Sequence, residues 1–408
     1  MSTLAKLDDA LHYMLDYLSE QPAISDHDHH HSDEFFAAPM DLDRLLAASY
    51  VAWTGFVPDG SEMSRRELLD NVGYNSYFHW FEKGLQRVHS FEEPISLGNW
   101  DRVSERVRTA YAADSDFHWQ TLRTHGFECL ILDNYYNPGS DNGHGSLFVP
   151  TFRIDKFMYG YHSDAVAPDQ FIPWERYGFS GRNLEQYVEL MRHTITEQHS
   201  KGKVAALKCA EAYNRPLAFF PCDPERAAAI FGTHPSAITD EDRLLFGNYI
   251  FHACCKLAAE LDVPFQVHTG LAQLSGSNPL QLEPIIAAYP DTRFVLFHSG
   301  YPWIHEVGGL AHNYTNALPN LTWTATISTA AAIQALDEYI DVARSINSIT
   351  WGSDCWVAEE SVGALLAWKF VIAKVLAQRL QDRRLSRKAA ETLADKLIFH
   401  NARNMYLS

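Results

Sequence analysis

"EDRLLFGNYIFHACCKLAAELDVPFQVHTG", residues 241–270, sets two patterns back to back. A long helix-like stretch stops before Pro264. A short apolar run follows and ends abruptly at His268. A helix that delivers the chain into a near-continuous apolar strand is the repeating unit of a parallel sheet covered on its faces.

The same unit recurs on both sides of this stretch. Apolar, β-branched runs ending in polar residues are "AIS" before His27, "FECLILD" at 127–133, "LFVPTFRI" at 147–154 and "KVAALKC" at 203–209. "PFQVHTG" at 264–270 is the fifth. "RFVLFHSG" at 293–300, "LTWTATI" at 321–327 and "SITWGSD" at 348–354 complete eight. Helix-like stretches lie between most of them, among them "NLEQYVELMRHTITEQHSKG", which ends in Gly202. Eight such units predict an α/β fold, a (β/α)₈ barrel.

Residues 32–126 are too long for a barrel loop and hold several helical stretches. They are read as a helical insertion over the barrel mouth, inside one domain spanning residues 1–408. Leu4, Leu7, Leu11 and Leu18 recur at helical spacing and predict an amphipathic N-terminal helix. "SRKAAETLADKLIFHNARNMYLS" reads as a closing helix. "NPGSDNGHGS" at 137–146 is expected to be a flexible loop.

The composition, 46% apolar and 21% charged, is that of a globular chain with material for a large core. A formal net charge of −18 argues against nucleic-acid binding and against anionic membranes. A local basic pocket for an anionic small molecule stays compatible with it. The N-terminus lacks the basic start and apolar stretch of a signal peptide. "VGALLAWKFVIAKVLAQRL" is interrupted by Lys369, Lys374 and Arg379, so it reads as a packed helix and not a span. Six cysteines include no C-x-x-C pair, which predicts free thiols and a cytoplasmic protein. Self-association into a homo-oligomer is left open.

The strand ends carry the chemistry. The first ends in His27-x-His29, the fourth at Lys208, the fifth at His268, the sixth at His298 and the eighth at Asp354. In a parallel barrel these ends share one rim, where active sites are built. Strand residues two apart face the same way, so His27 and His29 can both aim inward and grip one cation. Imidazole and carboxylate suit a divalent ion such as Zn²⁺. A water at an open coordination position would have its pKa lowered from 15.7 to about 7. Each residue alone has a plainer reading: a hydrogen-bonded core histidine, a helix cap at Asp354, a surface amine at Lys208. Five strand ends together make the plain reading poor. His29-x-His31 is the alternative register.

"PAISDHDHH", "KVAALKCAEAYNR", "PFQVHTG", "FVLFHSGYP" and "ITWGSD" resemble the metal-site strands of the amidohydrolase superfamily, in its amidohydrolase-2 branch, with uronate isomerases as more distant relatives. The resemblance spans residues 22–357 plus the closing "ADKLIFHNARNMYL". It implies metal ligands at His27, His29, His268 and Asp354. It implies that Asp354 moves protons between water and leaving group, and that His298 binds a second metal or touches substrate. Lys208 would either be carboxylated and bridge two metals, or hold an anionic substrate beside one. One departure is Ser25, which stands where the family usually has Asp, two residues before the first His; Asp26 and Asp28 are expected to point the other way, as outer support or solvated rim.

Substrate contacts are expected from Arg153 at the end of the third run, unless it forms a structural ion pair with Asp155 or a neighbour. Tyr213 and Arg215 follow Lys208, and Trp303 and Trp356 follow their strand ends, so all four are candidate pocket walls. "YFHWF" at 77–81 is read as insertion core or as a lid, and His144 as solvated. The function expected is metal-dependent hydrolysis of a small carboxylate-bearing amide or lactone. A non-oxidative decarboxylase or a uronate-type isomerase is the alternative.

Overall fold

The computed structural model describes residues 3–202 and 204–407, with side chains from residue 8 onward. Lys203, at the head of the fourth predicted run, and the side chains of Leu4 and Leu7 lie outside the described residues. Seven parallel strands run in chain order around the sheet. They are β1 (Ala23–Asp28), β2 (Phe127–Leu132), β3 (Phe148–Arg153), β4 (Ala206–Cys209), β5 (Phe265–Val267), β6 (Phe294–Leu296) and β7 (Ala317–Pro319). Each pairs with the next in parallel register.

The eighth position is filled by an extended segment. Thr350 bridges Asn320 in parallel, and Leu321 and Trp323 donate to the carbonyls of Thr350 and Gly352. On its other edge, Asp26 donates to the Trp351 carbonyl at 3.0 Å and Asp354 to the His27 carbonyl at 2.9 Å. Residues 349–354 therefore complete the α/β barrel between β7 and β1. Gly352 is required there: a Cβ would sit 2.7 Å from the His27 nitrogen and 2.8 Å from Asp26 Oδ1.

The seventh predicted run is displaced. The strand is Ala317–Pro319, and Thr324–Ile327 of "LTWTATI" is helical. Trp323 takes φ +64°, which turns the chain out of the sheet. A short buried apolar run cannot be assigned to strand or helix from its pattern alone.

All six positions of β1 are buried, as expected of a strand covered on both faces. Helix Ala358–Gln381 packs on Thr3–Ser19 and on Ser76–His89 of the segment between β1 and β2. Two glycines let the second pair approach. A Cβ on Gly84 would lie 1.9 Å from the Glu359 carbonyl oxygen, and one on Gly363 2.1 Å from that of Trp80. Buried Glu359 adds His89 Nε2 at 2.9 Å and the Tyr111 hydroxyl at 3.1 Å. Phe78, Trp80 and Phe81 of "YFHWF" are buried in this packing, and none of residues 77–81 lines the pocket.

The loop at 137–146 is tethered, contrary to expectation. The Asn142 amide donates to the His30 carbonyl at 2.9 Å. His144, expected in solvent, lies 2.9 Å from Asp33 and 4.1 Å from the Trp119 ring. Short polar side chains in the loop satisfy backbone groups locally, which composition does not reveal.

Candidate metal centre and pocket

One cavity of about 790 Å³ opens at the C-terminal ends of the strands. It brings together His27, His29, Arg153, Lys208, Tyr213, His268, His298, Asp354 and Trp356 from six separate stretches of chain. Arg215 and Trp303 do not line it. Arg215 turns away to the Leu244 carbonyl and Asn248, and Trp303 precedes helix Ile304–Asn313.

His27 Nε2 lies 3.5 Å and His29 Nε2 3.2 Å from Asp354 Oδ1. Ligand atoms of these three residues all fall within 4.8 Å of one another, and among the described residues no other such group of His, Cys, Asp and Glu is found. The donor set fits a divalent cation. Both ring nitrogens of His27 are buried without a hydrogen-bond partner, a costly state unless a ligand is bound. Burial, with Lys208 and His29 nearby, pushes the His27 pKa well below 6.5, so the ring is neutral and its lone pair free. His29 Nδ1 sits 2.9 Å from the Asp133 carbonyl oxygen; donation there leaves Nε2 as the ligand atom.

His268 stands outside this group. Its Nε2 is 2.9 Å from the Leu271 carbonyl and its Nδ1 2.9 Å from His298 Nε2. His298 Nδ1 meets the Thr322 carbonyl at 3.0 Å. Two neutral rings carry two N–H protons for these three contacts, so at least one ring nitrogen keeps a lone pair that no proton meets. Burial holds the His268 pKa at about 3 and that of His298 well below 6.5, so this pair is neutral. His298 and Asp354 take φ +62° and +63°, a left-handed backbone costing roughly 1–3 kcal/mol for a non-glycine residue. Such strain collects where side chains must be aimed, and here it sits at the rim.

Lys208 is 1% exposed, and its Nζ lies 3.7 Å over the Phe297 ring. No hydrogen bond or ion pair reaches that ammonium among the described residues. Burial lowers its pKa to about 8, against the opposing pull of Asp133 and Asp354. Arg153 is different. Its guanidinium is bound by Asp133 through both Nε and Nη2, and Asp155 lies 3.6 Å away. Its structural partners occupy the fork expected to receive a substrate carboxylate. Burial pushes the Asp133 pKa up, but Arg153 overrides that and holds it at about 2.

Three residues absent from the sequence reading complete the site. The Tyr50 hydroxyl donates to Asp354 Oδ2 at 2.8 Å. Burial and the Asp354 charge drive its pKa well above 10, so it stays a donor. Buried Glu360 accepts from the Tyr50 amide at 2.6 Å and the Trp356 amide at 3.4 Å. Asp133 directly follows β2. The strand-end rule that singled out Asp354 could have found Asp133, whereas nothing local marks Tyr50. Asp26 and Asp28 are fully buried and not at a solvated rim. Asp26 accepts from Thr322 at 2.7 Å and Asn320 at 2.7 Å, while the Asp28 carboxylate takes the Cys355 amide at 3.0 Å and the Ser353 hydroxyl. The Ser25 hydroxyl accepts the Ser353 amide at 2.8 Å, so it too holds the closing segment.

Residues 227–407 match the Amidohydrolase family model. This C-terminal stretch is thus similar to the amidohydrolases. Members of this superfamily are enzymes and generally metal-dependent. Protein fluG of Emericella nidulans is 32% identical over 149 residues, 35% of this chain. The chain matches only 17% of that protein's length. Uronate isomerase from Thermotoga maritima superposes with a TM-score of 0.79 at 15% identity, covering 98% of this chain and 97% of that one. Glucuronate isomerase from Caulobacter crescentus gives 0.74 at 17% identity, covering 98% and 94%. At these identities the likeness concerns the fold. Among the described residues no helix is long and apolar enough to cross a membrane, and the six cysteines are free.

Proposed function

We propose that this chain is a metal-dependent hydrolase of a small carboxylate-bearing amide or lactone. The observation that carries the reading is a cation clamp, His27, His29 and Asp354, sharing one pocket with the unpaired ammonium of Lys208. A divalent ion held there, Zn²⁺ by the donor set, would supply Lewis acidity toward a carbonyl oxygen and a water. A clamp of three residues that includes neither His268 nor His298 supports one ion and not two.

The chain's own groups divide the remaining work. Lys208, mostly protonated at pH 7 with its pKa of about 8, pairs with the substrate carboxylate. Asp354 accepts the proton of the attacking water and returns it to the leaving group. Tyr50 holds Asp354 in place and keeps a hydroxyl beside the oxygen where charge develops. His298 acts one step back, bracing His268 at 2.9 Å in the pocket wall.

A second reading, isomerisation of a sugar acid, is favoured by the full-length likeness to the two isomerases named above. Solvent ¹⁸O separates the two. A hydrolase places label in the acid product of every turnover, and an isomerase places none through its chemical step. Turnover without label would end the hydrolase proposal.

A further inference from the structure

Exposed aromatic rings are not scattered over this protein. Six are exposed among the described residues: Trp53, Tyr74, Tyr135, Tyr136, Tyr213 and Phe220. Four of them, Trp53 (53%), Tyr135 (42%), Tyr136 (69%) and Tyr213 (38%), line the one cavity that holds the clamp. Leaving large apolar faces in water at a single mouth points to a bound apolar partner.

Their placement is continuous with the clamp. Trp356 stacks on the His29 ring at 5.4 Å, and Trp53 lies 6.2 Å from Trp356. Trp53 reaches Tyr213 across the mouth at 6.5 Å, and Tyr213 lies 4.5 Å from the His268 ring. A substrate anchored at Asp354 and Lys208 that extends toward this side of the mouth meets the Trp53 indole. The polar groups beside these rings are largely occupied. Asn134 Oδ1 accepts the amides of Tyr136 and Asn137 while its amide donates to Asn142. Asp169 is paired with Lys156 at 3.0 Å, and Glu211 takes the Tyr159 hydroxyl. Little remains to recognise a row of sugar hydroxyls.

We infer that the outer half of the pocket is a subsite for an aromatic ring on the non-reacting part of the substrate, with Trp53 as its specificity-determining residue. The inference rests on the hydrolase proposal for the reacting end. The substrate class is then an arylalkyl-bearing acid amide or lactone, carboxylate toward Lys208 and ring against Trp53.

The test compares three monoanions on Zn²⁺-loaded protein by isothermal titration: N-acetylphenylalanine, N-acetylalanine and D-glucuronate. The phenylalanine derivative is expected to bind at least tenfold tighter than either of the others. Trp53→Ala should shrink that preference below threefold, and Trp53→Phe should retain most of it. A preference that survives Trp53→Ala, or equal or tighter binding of the alanine derivative or glucuronate, overturns the subsite. Label incorporation from H₂¹⁸O is scored separately on whichever substrates turn over. An intact ring preference without hydrolysis would sink the reaction proposed above and leave the subsite standing.

Discussion

Replacing Lys208 by methionine should make the metal-free protein more stable. The ammonium is buried, unpaired and seated over Phe297. Its pKa falls from 10.5 to about 8, chiefly through burial. That difference corresponds to about 3 kcal/mol of stability lost at pH values below both pKa values. The sign follows from proton counting. Between pH 8 and 10.5 the unfolded chain holds a proton that the folded chain has lost, so stability rises with pH across that window. Methionine fills nearly the same volume, and its sulfur suits the ring below. Urea unfolding of metal-free wild type and Lys208→Met should show the variant ahead by about 2–3 kcal/mol at pH 7. The gap should close as pH rises past 10.5, because the wild type then folds around a neutral amine and the other titrating groups cancel in the difference. A variant that is less stable at pH 7, or a gap that ignores pH, would refute the reasoning. Intact mass of the purified wild type checks the same point, since a carboxylated lysine would carry extra mass and no cation.

Three further outcomes are expected. His27→Ala removes a ligand whose nitrogens have no other partner, so bound metal after dialysis should drop to well below one equivalent by elemental analysis. Tyr50→Phe keeps the ring, stacked on Trp323 at 4.4 Å, and deletes the hydroxyl on Asp354. Turnover should fall about 10²-fold or more with metal content unchanged, measured as kcat on any substrate found. Gly84→Ala sets a methyl 1.9 Å from the Glu359 carbonyl at a helix crossing, where only backbone can yield. A loss of about 1–3 kcal/mol, read as a lower Tm, is expected.

Some of this design is written locally in the chain. A strand preceded by a helix and ended by a functional group is a pattern of neighbours, so β2 to β6 could be placed from their runs, and His27, His29, Lys208, His268, His298 and Asp354 from their ends. The barrel rule then carries them to one rim without knowledge of any contact. The same rule pointed at Arg153 but could not say what its fork would hold. That depends on Asp133, twenty positions away in the chain and bonded to it in space.

Other features exist only between segments. Tyr50 lies 304 positions from Asp354, and Glu360 310 positions from the Tyr50 amide it accepts. No periodicity links such residues, because their meeting is set by how helix Ser76–His89 docks on Ala358–Gln381 through Gly84 and Gly363. The same holds for the positions of His268 and His298, which face each other and two backbone carbonyls outside the three-residue clamp. Backbone preference and side-chain chemistry are properties of short stretches and can be read along the chain. Burial, ion pairing and the freedom of a lone pair belong to a packed environment, and packing is a relation among residues that the chain order does not contain.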